Sequence, residues 1–311
     1  MLLIKSAICL YRSPHFSKSI NLAIFDLEKC TSPLISTYHI GSSVQGTPLL
    51  AVKLGFGPTH ILIHGTHHAR EAITTILILD QINYLARLYQ AQASINDISI
   101  VDLLNQITFT FVPLVNPDGA DLVLNGKSSL SPTFKGQPYL QKRYFPSWKA
   151  NIHGVDLNEN YPTQYPTPNL ACAPGAELYS GPSPFSEPET LALKNLTHQE
   201  LFDGTISYHS SGEEIYWYYN QPNESPDLSI VQKVAKETGY RLIPKHTPTT
   251  GSGYKDWFIE TYHKPSLTIE VSPYVGPRKV PAKNYRSIYY ANKNVPILFG
   301  HKIHTLIASS S

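Results

Sequence analysis

His68 and Glu71 stand one helical turn apart in the segment His64-Gly-Thr-His-His-Ala-Arg-Glu71. An imidazole and a carboxylate at that spacing can converge on one small cation, and Zn²⁺ accepts both ligand types. The apolar run Thr59–His64 predicts a buried strand that delivers the pair, and the apolar periodicity from Ala72 to Leu88 predicts the helix that follows. Alone, His-x-x-Glu is a common pattern, equally met by a hydrogen-bonded histidine beside a carboxylate favoured by the helix dipole. Its place at a strand-to-helix turn adds weight, because sites in open α/β sheets lie at the carboxyl ends of strands.

Two further segments extend the set. Phe202-Asp-Gly-Thr-Ile-Ser-Tyr-His209 reads as a short strand ending in a histidine, followed by the small-residue turn Ser-Ser-Gly. Ser266-Leu-Thr-Ile-Glu270-Val-Ser carries a glutamate in the apolar middle of another β-rich run. Burying a carboxylate there is costly without a partner or a task. His68, Glu71 and His209 therefore offer three ligands to one zinc ion per chain, with Glu270 left as an unliganded carboxylate. Two histidines and one glutamate form a catalytic zinc set that keeps a coordination position open for water.

The elements needed to position these residues are visible along the chain. Pro48–Leu54 and Thr59–His64 read as strands, a helix is expected from about Arg70 to Gln90, and a shorter one near Ile98 to Leu104. Ile107–Val115 is β-branched and aromatic, and Asn116-Pro-Asp-Gly119 predicts a turn at its end. Residues 125–150 show no periodicity and read as a long functional loop. Ser186-Glu-Pro-Glu189 predicts a helix start with Ser186 as N-cap and Glu189 closing a capping box. A strand at Glu214–Asn220, a helix at Leu228–Glu237, a strand at Tyr240–Pro244 and a short helix from Tyr254 complete the alternation. The fold class expected is α/β, a mixed central β-sheet sandwiched between helices.

Composition supports one catalytic domain. A chain of 311 residues can bury a large core, and no linker, repeat or charge block divides it. The near-balanced charge of +2 leaves no nucleic-acid footprint. No apolar stretch is long enough to span a bilayer. Cys9, Cys30 and Cys172 include no Cys-x-x-Cys, which supports neither a disulfide framework nor a thiolate zinc site. The mildly apolar N-terminus is interrupted by Lys5 and lacks a small-residue cleavage site. A cytoplasmic place of work is therefore favoured, with secretion or the cell wall as the alternative.

The order His68-x-x-Glu71, Gly154-Val-Asp-Leu-Asn158, Ser207-Tyr-His209-Ser and Thr268-Ile-Glu270 resembles the zinc metallocarboxypeptidases of the pancreatic type. Within that family, Trp148–Asn158, Tyr208–Trp217 and Gly253-Tyr-Lys-Asp-Trp257 are most similar to the bacterial γ-D-glutamyl-meso-diaminopimelate peptidases. The resemblance covers roughly residues 45 to 300. It leaves residues 1–40 as an N-terminal segment of unknown role before a catalytic domain at 41–305. It implies that His68, rather than His64 or His67, is the ligand, that Glu270 is the general base, and that Arg70 faces the acyl side of the cleft.

Two departures from the family pattern bear on substrate. Lys149 stands where the family has an oxyanion-stabilising arginine nine residues before Asn158, delivering a positive charge without the bidentate fork. Glu159 replaces the arginine that joins Asn158 in holding a substrate α-carboxylate, and an anion there repels one. Lys255 occupies the family's side-chain selector position. With Glu159 it makes a plus-and-minus pair suited to the distal carboxylate and ammonium of diaminopimelate. Tyr254 is the nearest counterpart of the family's mobile tyrosine. The expected substrate is thus a peptide or muropeptide, cut by a zinc peptidase at γ-D-glutamyl–meso-diaminopimelate. Removal of C-terminal residues from ordinary peptides and silent muropeptide binding are the alternatives, and oligomeric state is not specified.

Overall fold

Ile61 and Ile63 point into one core layer and Leu62 into another, the period-two alternation of a strand covered on both faces. The computed structural model describes residues 7–141, 145–163, 173–249 and 251–310. Eight strands build one sheet: β1 (Ile35–Ser42), β2 (Pro48–Gly55), β3 (Thr59–Gly65), β4 (Ile107–Val112), β5 (Gly204–Ser210), β6 (Glu214–Tyr216), β7 (Arg241–Leu242) and β8 (Ser266–Val271). Their spatial order is β1-β2-β4-β3-β5-β8-β6-β7. The central strands β4, β3, β5 and β8 are parallel, while β2 joins β4 and β6 joins β8 antiparallel.

The helices are α1 (Phe16–Thr31), α2 (Ile73–Gln90), α3 (Ile100–Gln106), α4 (Pro117–Asn125), α5 (Pro188–Glu200), α6 (Ser225–Thr238), α7 (Tyr254–Tyr262), α8 (Tyr285–Asn292) and α9 (Val295–Ser310). The larger core joins Ile61, Ile63, Phe109, Phe111, Ile206 and Ile269 of the sheet to α1, α2, α3, α6, α8 and α9. On the other face, Leu193 and Leu196 of α5 and Tyr254, Trp257 and Phe258 of α7 cover Leu62 and Val112. Helix α2 is buried on nearly every side from Ile73 to Asn83, as expected of a helix whose apolar residues leave no polar stripe. The mixed, helix-sandwiched sheet is the class read from the sequence.

Several local expectations are corrected. The boundary at residue 40 falls inside β1, and Phe16, Ile20, Ile24 and Leu27 of α1 share the core of α2. Residues 7–40 are thus integral to the layers. Asn116-Pro-Asp-Gly119 opens α4 instead of ending in a turn, with Asn116 Oδ1 accepting from Gly119 N at 3.0 Å. The same residue types serve a turn and an N-cap followed by proline. No capping box forms at α5: Ser186 Oγ donates to Glu187, and Glu189 accepts from Val44 N and Asn151 Nδ2. Tertiary donors have taken the carboxylate that the local motif would use. The long loop is partly wound into single turns at Gly126–Ser129, Pro132–Lys135, Pro138–Gln141 and Phe145–Ser147. The aromatic strand is confined to Glu214–Tyr216. Among the described residues no helix is long and apolar enough to cross a membrane. Cys172 lies outside the described residues, while Cys9 and Cys30 are free and exposed.

Candidate metal centre and cleft

At the end of β3, a Cβ on Gly65 would stand 2.8 Å from Thr74 Oγ1, so only a bare backbone lets the strand approach the first turn of α2 this closely. Thr66 follows with φ at 57°, a conformation that costs a β-branched residue free energy. It is held by Thr74 Oγ1, which accepts from Thr66 N at 2.9 Å, and by hydroxyl contacts of 2.8 Å with Thr74 and Thr75. This clasp positions His68 and Glu71 at the carboxyl edge of the sheet. β5 and β8 supply the other pair, since their register sets His209 beside Glu270. Tyr208 and Ile269 fill the larger core, so alternation turns His209 and Glu270 to the opposite face.

Glu71 Oε1 lies 2.9 Å from His68 Nδ1, and Oε2 lies 3.1 Å from His209 Nδ1. The two Nδ1 atoms are 3.1 Å apart. All three side chains are buried, and their ligand atoms fall within 4.8 Å of one another. His68 Nε2 faces Asp156 Oδ1 at 3.1 Å, and a proton on Nε2 leaves the Nδ1 lone pair directed at the same point. Two imidazole nitrogens and a carboxylate sharing one buried point fit zinc.

Burial penalises every charge here, and pairing decides which survive. Without a metal, burial would depress His68 but the Glu71 carboxylate holds it up at about 9, so a metal ion binding there would displace the Nδ1 proton. Burial would raise Glu71, yet the His68 charge and the two histidine contacts keep it well below the usual carboxylate range. In the metal-free site Glu270, at the cleft edge, is pushed up to about 8 by burial and then by the charge of Glu71, a shift that a bound dication would oppose. His67 stacks on His209 at 5.7 Å and meets Tyr161 OH at 2.9 Å, while His64 meets Ser207 Oγ at 3.1 Å. Burial lowers both histidines far below their ordinary value, which suits neutral supports behind the ligands.

Asp156 lies inside the Gly154–Asn158 motif with no role assigned from sequence. It is 1% exposed, and its second oxygen is 2.8 Å from Lys149 Nζ. Despite burial, the Lys149 and His68 charges hold its carboxyl well below the ordinary range. Burial would lower Lys149, but Asp156 raises it. The Lys149 carbonyl accepts from Ala69 N at 2.9 Å, which ties this loop to the His68–Glu71 turn. Gly119 seats the loop from below: a Cβ there would stand 2.8 Å from both Ala150 O and Ala69 Cβ.

Asn158 and Glu159 lie on the short turn Leu157–Glu159, which Asp156 caps by accepting from Asn158 N. A Cβ on Gly253 would stand 3.0 Å from the Asn158 amide, so the 251–253 loop packs directly on this turn. Glu159 is buried and accepts from Ser252 Oγ. Burial and the charge of Asp156 raise it to about 7.

His68, Glu71, Glu270, Arg70, Lys149 and Tyr274 line a cleft of about 640 Å³. A chamber of about 240 Å³ adjoins it and shares Arg70, Lys149, Glu177 and Pro277 with it. Arg70 donates to Ser147 O and to Glu177 Oε1, each at 3.2 Å.

Two expected side chains are used internally. Lys255 is buried, donating to Tyr218 O at 3.1 Å and pairing with the Asp256 carboxylate. The plus-and-minus pair read from sequence is therefore corrected: Asp256 meets the cation, and Ser252 meets the anion. Tyr254 is also corrected, being wholly buried with its hydroxyl 2.9 Å from Thr197 Oγ1 and its ring against His64 and Trp257. As the first residue of α7 it fills the core, and the tyrosines lining the cleft among the described residues are Tyr216 and Tyr274, the latter 77% exposed.

Comparison with known proteins agrees with this geometry. Residues 23–276 match the family model described as zinc carboxypeptidase. The chain is 32% identical over 262 residues to Gamma-D-glutamyl-L-diamino acid endopeptidase 1 of Lysinibacillus sphaericus, covering 83% of this chain and 65% of that protein. It thus spans just under two thirds of that relative's length. Bovine thrombin-activatable fibrinolysis inhibitor, solved with tick carboxypeptidase inhibitor, shares the fold with a TM-score of 0.74 at 20% identity, over 97% of this chain and 99% of that one. Murein-tripeptide amidase MpaA from Escherichia coli O157 shares it with a TM-score of 0.51 at 21% identity, over 85% and 92%.

Proposed function

The chain belongs to the zinc carboxypeptidase family, and from that premise we propose that this metallopeptidase hydrolyses the amide joining a γ-D-glutamyl group to meso-diaminopimelate in cell-wall peptides. His68, Glu71 and His209 hold the zinc. Bound there, zinc supplies a Lewis acid for the scissile carbonyl and brings the pKa of water to about 7. Glu270 takes the proton of the attacking water and returns it to the leaving amine. Lys149, anchored by Asp156, sets a positive charge toward the carbonyl oxygen as it gains negative charge. Arg70 borders the acyl side, where the adjoining chamber opens.

Glu159 carries the choice of substrate. It lies within electrostatic reach of Asp156, Lys149 and His68, so its charge bears on the site. An anion there opposes a free α-carboxylate and favours an ammonium, which a diamino acid brings and an ordinary C-terminal residue lacks. The name of the Lysinibacillus sphaericus relative supports the same bond type. Lys255 receives the distal carboxylate only if that group competes with Asp256. A silent binding protein would have no use for the intact set of ligands and Glu270.

The test is a defined set of muropeptides and a chromogenic C-terminal dipeptide, each incubated with zinc-loaded protein, the cleaved bond being located by mass spectrometry. Cleavage between γ-D-glutamate and diaminopimelate is expected, with little turnover of the dipeptide. Faster turnover of the dipeptide would overturn the reading in favour of an ordinary carboxypeptidase.

A further inference from the structure

Beyond the cleft, a second cavity of about 440 Å³ opens where α2 meets α8 and the segment leading into it. Asn83 on its wall lies ten residues past Ile73, or about 15 Å along the helix at ~1.5 Å per residue, so the cavity is separate from the metal centre. Arg87, Lys283 and Arg286 line it and are exposed. None of the three forms an ion pair among the described residues. The carboxylate in the lining, Asp80, is already engaged by Ala7 N and Tyr285 OH. Three cations facing one satisfied anion make a surface that selects negative charge.

The remaining lining adds ring recognition. Tyr84 and Tyr289 meet at 80° with centroids 6.4 Å apart, and Tyr289 meets Tyr290 at 67° and 5.7 Å. Rings set this steeply present faces and edges in succession rather than one flat wall. Tyr290 is 56% exposed, with the Arg286 guanidinium 5.8 Å and Lys293 Nζ 5.3 Å from its centroid, and Lys293 Nζ also lies 5.5 Å from the Tyr84 centroid.

We propose that this groove binds an acidic sugar. Its carboxylate would pair with Arg87, Lys283 or Arg286, and its C–H face would lie against the exposed ring of Tyr290. A cavity of this size falls in the usual range for small-molecule sites and accommodates one or two pyranose units. A nucleotide shares the anion and the ring, and its binding is a separate outcome of the test.

The experiment is calorimetric titration of zinc-loaded protein with a hyaluronan tetrasaccharide as the acidic probe, chitotetraose as its uncharged counterpart, and AMP. The acidic tetrasaccharide should bind at least tenfold more tightly than either of the others. Arg286→Glu and Tyr290→Ala, both at exposed positions, should each weaken it tenfold or more and leave turnover of a small peptide substrate unchanged. Absence of binding, equal binding of chitotetraose, AMP binding as tight or tighter, or variants of undiminished affinity would each overturn the proposal. Because the readout is binding, it stands or falls independently of which peptide bond the enzyme cuts.

Discussion

Asp156→Asn is the substitution that most directly tests how the metal centre is held together. The carboxylate lies 3.1 Å from His68 Nε2 and 2.8 Å from Lys149 Nζ. At an effective dielectric near 20, unit charges separated by 2.8 Å attract by about 6 kcal/mol, a gross figure that the desolvation of both groups offsets. Removing one partner of a buried pair costs about 3–5 kcal/mol, and the partial exposure of Lys149 places this one near the lower end. A lost partner of a metal-ligating histidine also costs about 10–100-fold in metal affinity or activity. Three measurements separate these effects: zinc affinity by chelator competition, kcat/KM at saturating zinc, and unfolding in urea. Zinc affinity should fall about tenfold or more, and kcat/KM should stay depressed at saturating zinc because Lys149 has lost its anchor. The depressed carboxyl of Asp156 contributes stability above its unfolded value near 3.9, lost as pH falls through the folded one. The raised Lys149 contributes below its unfolded value near 10.4, lost only as pH climbs past the folded one. In metal-free protein the stability gap between parent and variant should thus be widest from about pH 5 to 6.5, shrink in acid, and narrow again toward pH 9 as His68, which Asp156 also helps hold up, loses its proton. Zinc affinity within threefold of the parent, with unchanged kcat/KM, would show that Asp156 neither orients His68 nor anchors Lys149.

Other predictions address the remaining parts. Chelation should abolish hydrolysis and zinc should restore it at about one ion per chain, a stoichiometry that metal analysis reads directly; full activity without metal would refute the ligand set. Glu270→Gln should retain zinc while turnover falls about 10²–10⁴-fold, as loss of a general base requires, and a loss below tenfold would mean another group takes the proton. Glu159 is raised to about 7 by burial, and its ionised form is the one that receives an ammonium, so KM for the diamino substrate should fall as pH rises through that value. Glu159→Gln should flatten that trend, and an identical profile in both proteins would remove Glu159 from substrate recognition. Gly119→Ala should destabilise by about 1–3 kcal/mol in thermal or urea unfolding through overpacking against Ala69 and Ala150, and a neutral effect would show that the loop can yield.

What the sequence shows and what it hides divide along a physical line. Strand periodicity and short spacings brought His68, Glu71, His209 and Glu270 forward as candidates before any tertiary contact was known, while the resemblance separated His68 from His64 and His67 and gave Glu270 its expected role. The sandwiched sheet was legible from the same periodicity. Asp156 was hidden because its task depends on two partners, His68 and Lys149, that the fold brings to it. The capping box failed likewise: Glu189 could cap α5, but donors from Val44 and Asn151 reach it first. Residues 7–40 looked unassigned because they carry no motif, yet α1 and β1 complete a layer that the rest of the chain leaves open.

Lys255 shows why a charge read from one aligned position is a weak guide to a subsite. A lysine on its own in a buried wall would face a large desolvation cost, and the chain offsets it with Asp256 and the Tyr218 carbonyl. A substrate carboxylate arriving there finds a cation that is already neutralised, so its gain is only the difference between two carboxylates. Glu159 differs, since burial has raised it toward neutral pH and Ser252 donates to it. An incoming ammonium restores a charge that burial disfavours, and this interaction is available only to a substrate bearing that group. Under the proposed function, selection for a diamino acid would rest more on the anion at Glu159 than on the cation at Lys255. Comparing a diaminopimelate substrate with its lysine analogue, which keeps the ammonium and lacks the distal carboxylate, should show similar KM values in the parent protein. A KM for the lysine analogue raised by more than tenfold would return the larger share of recognition to Lys255.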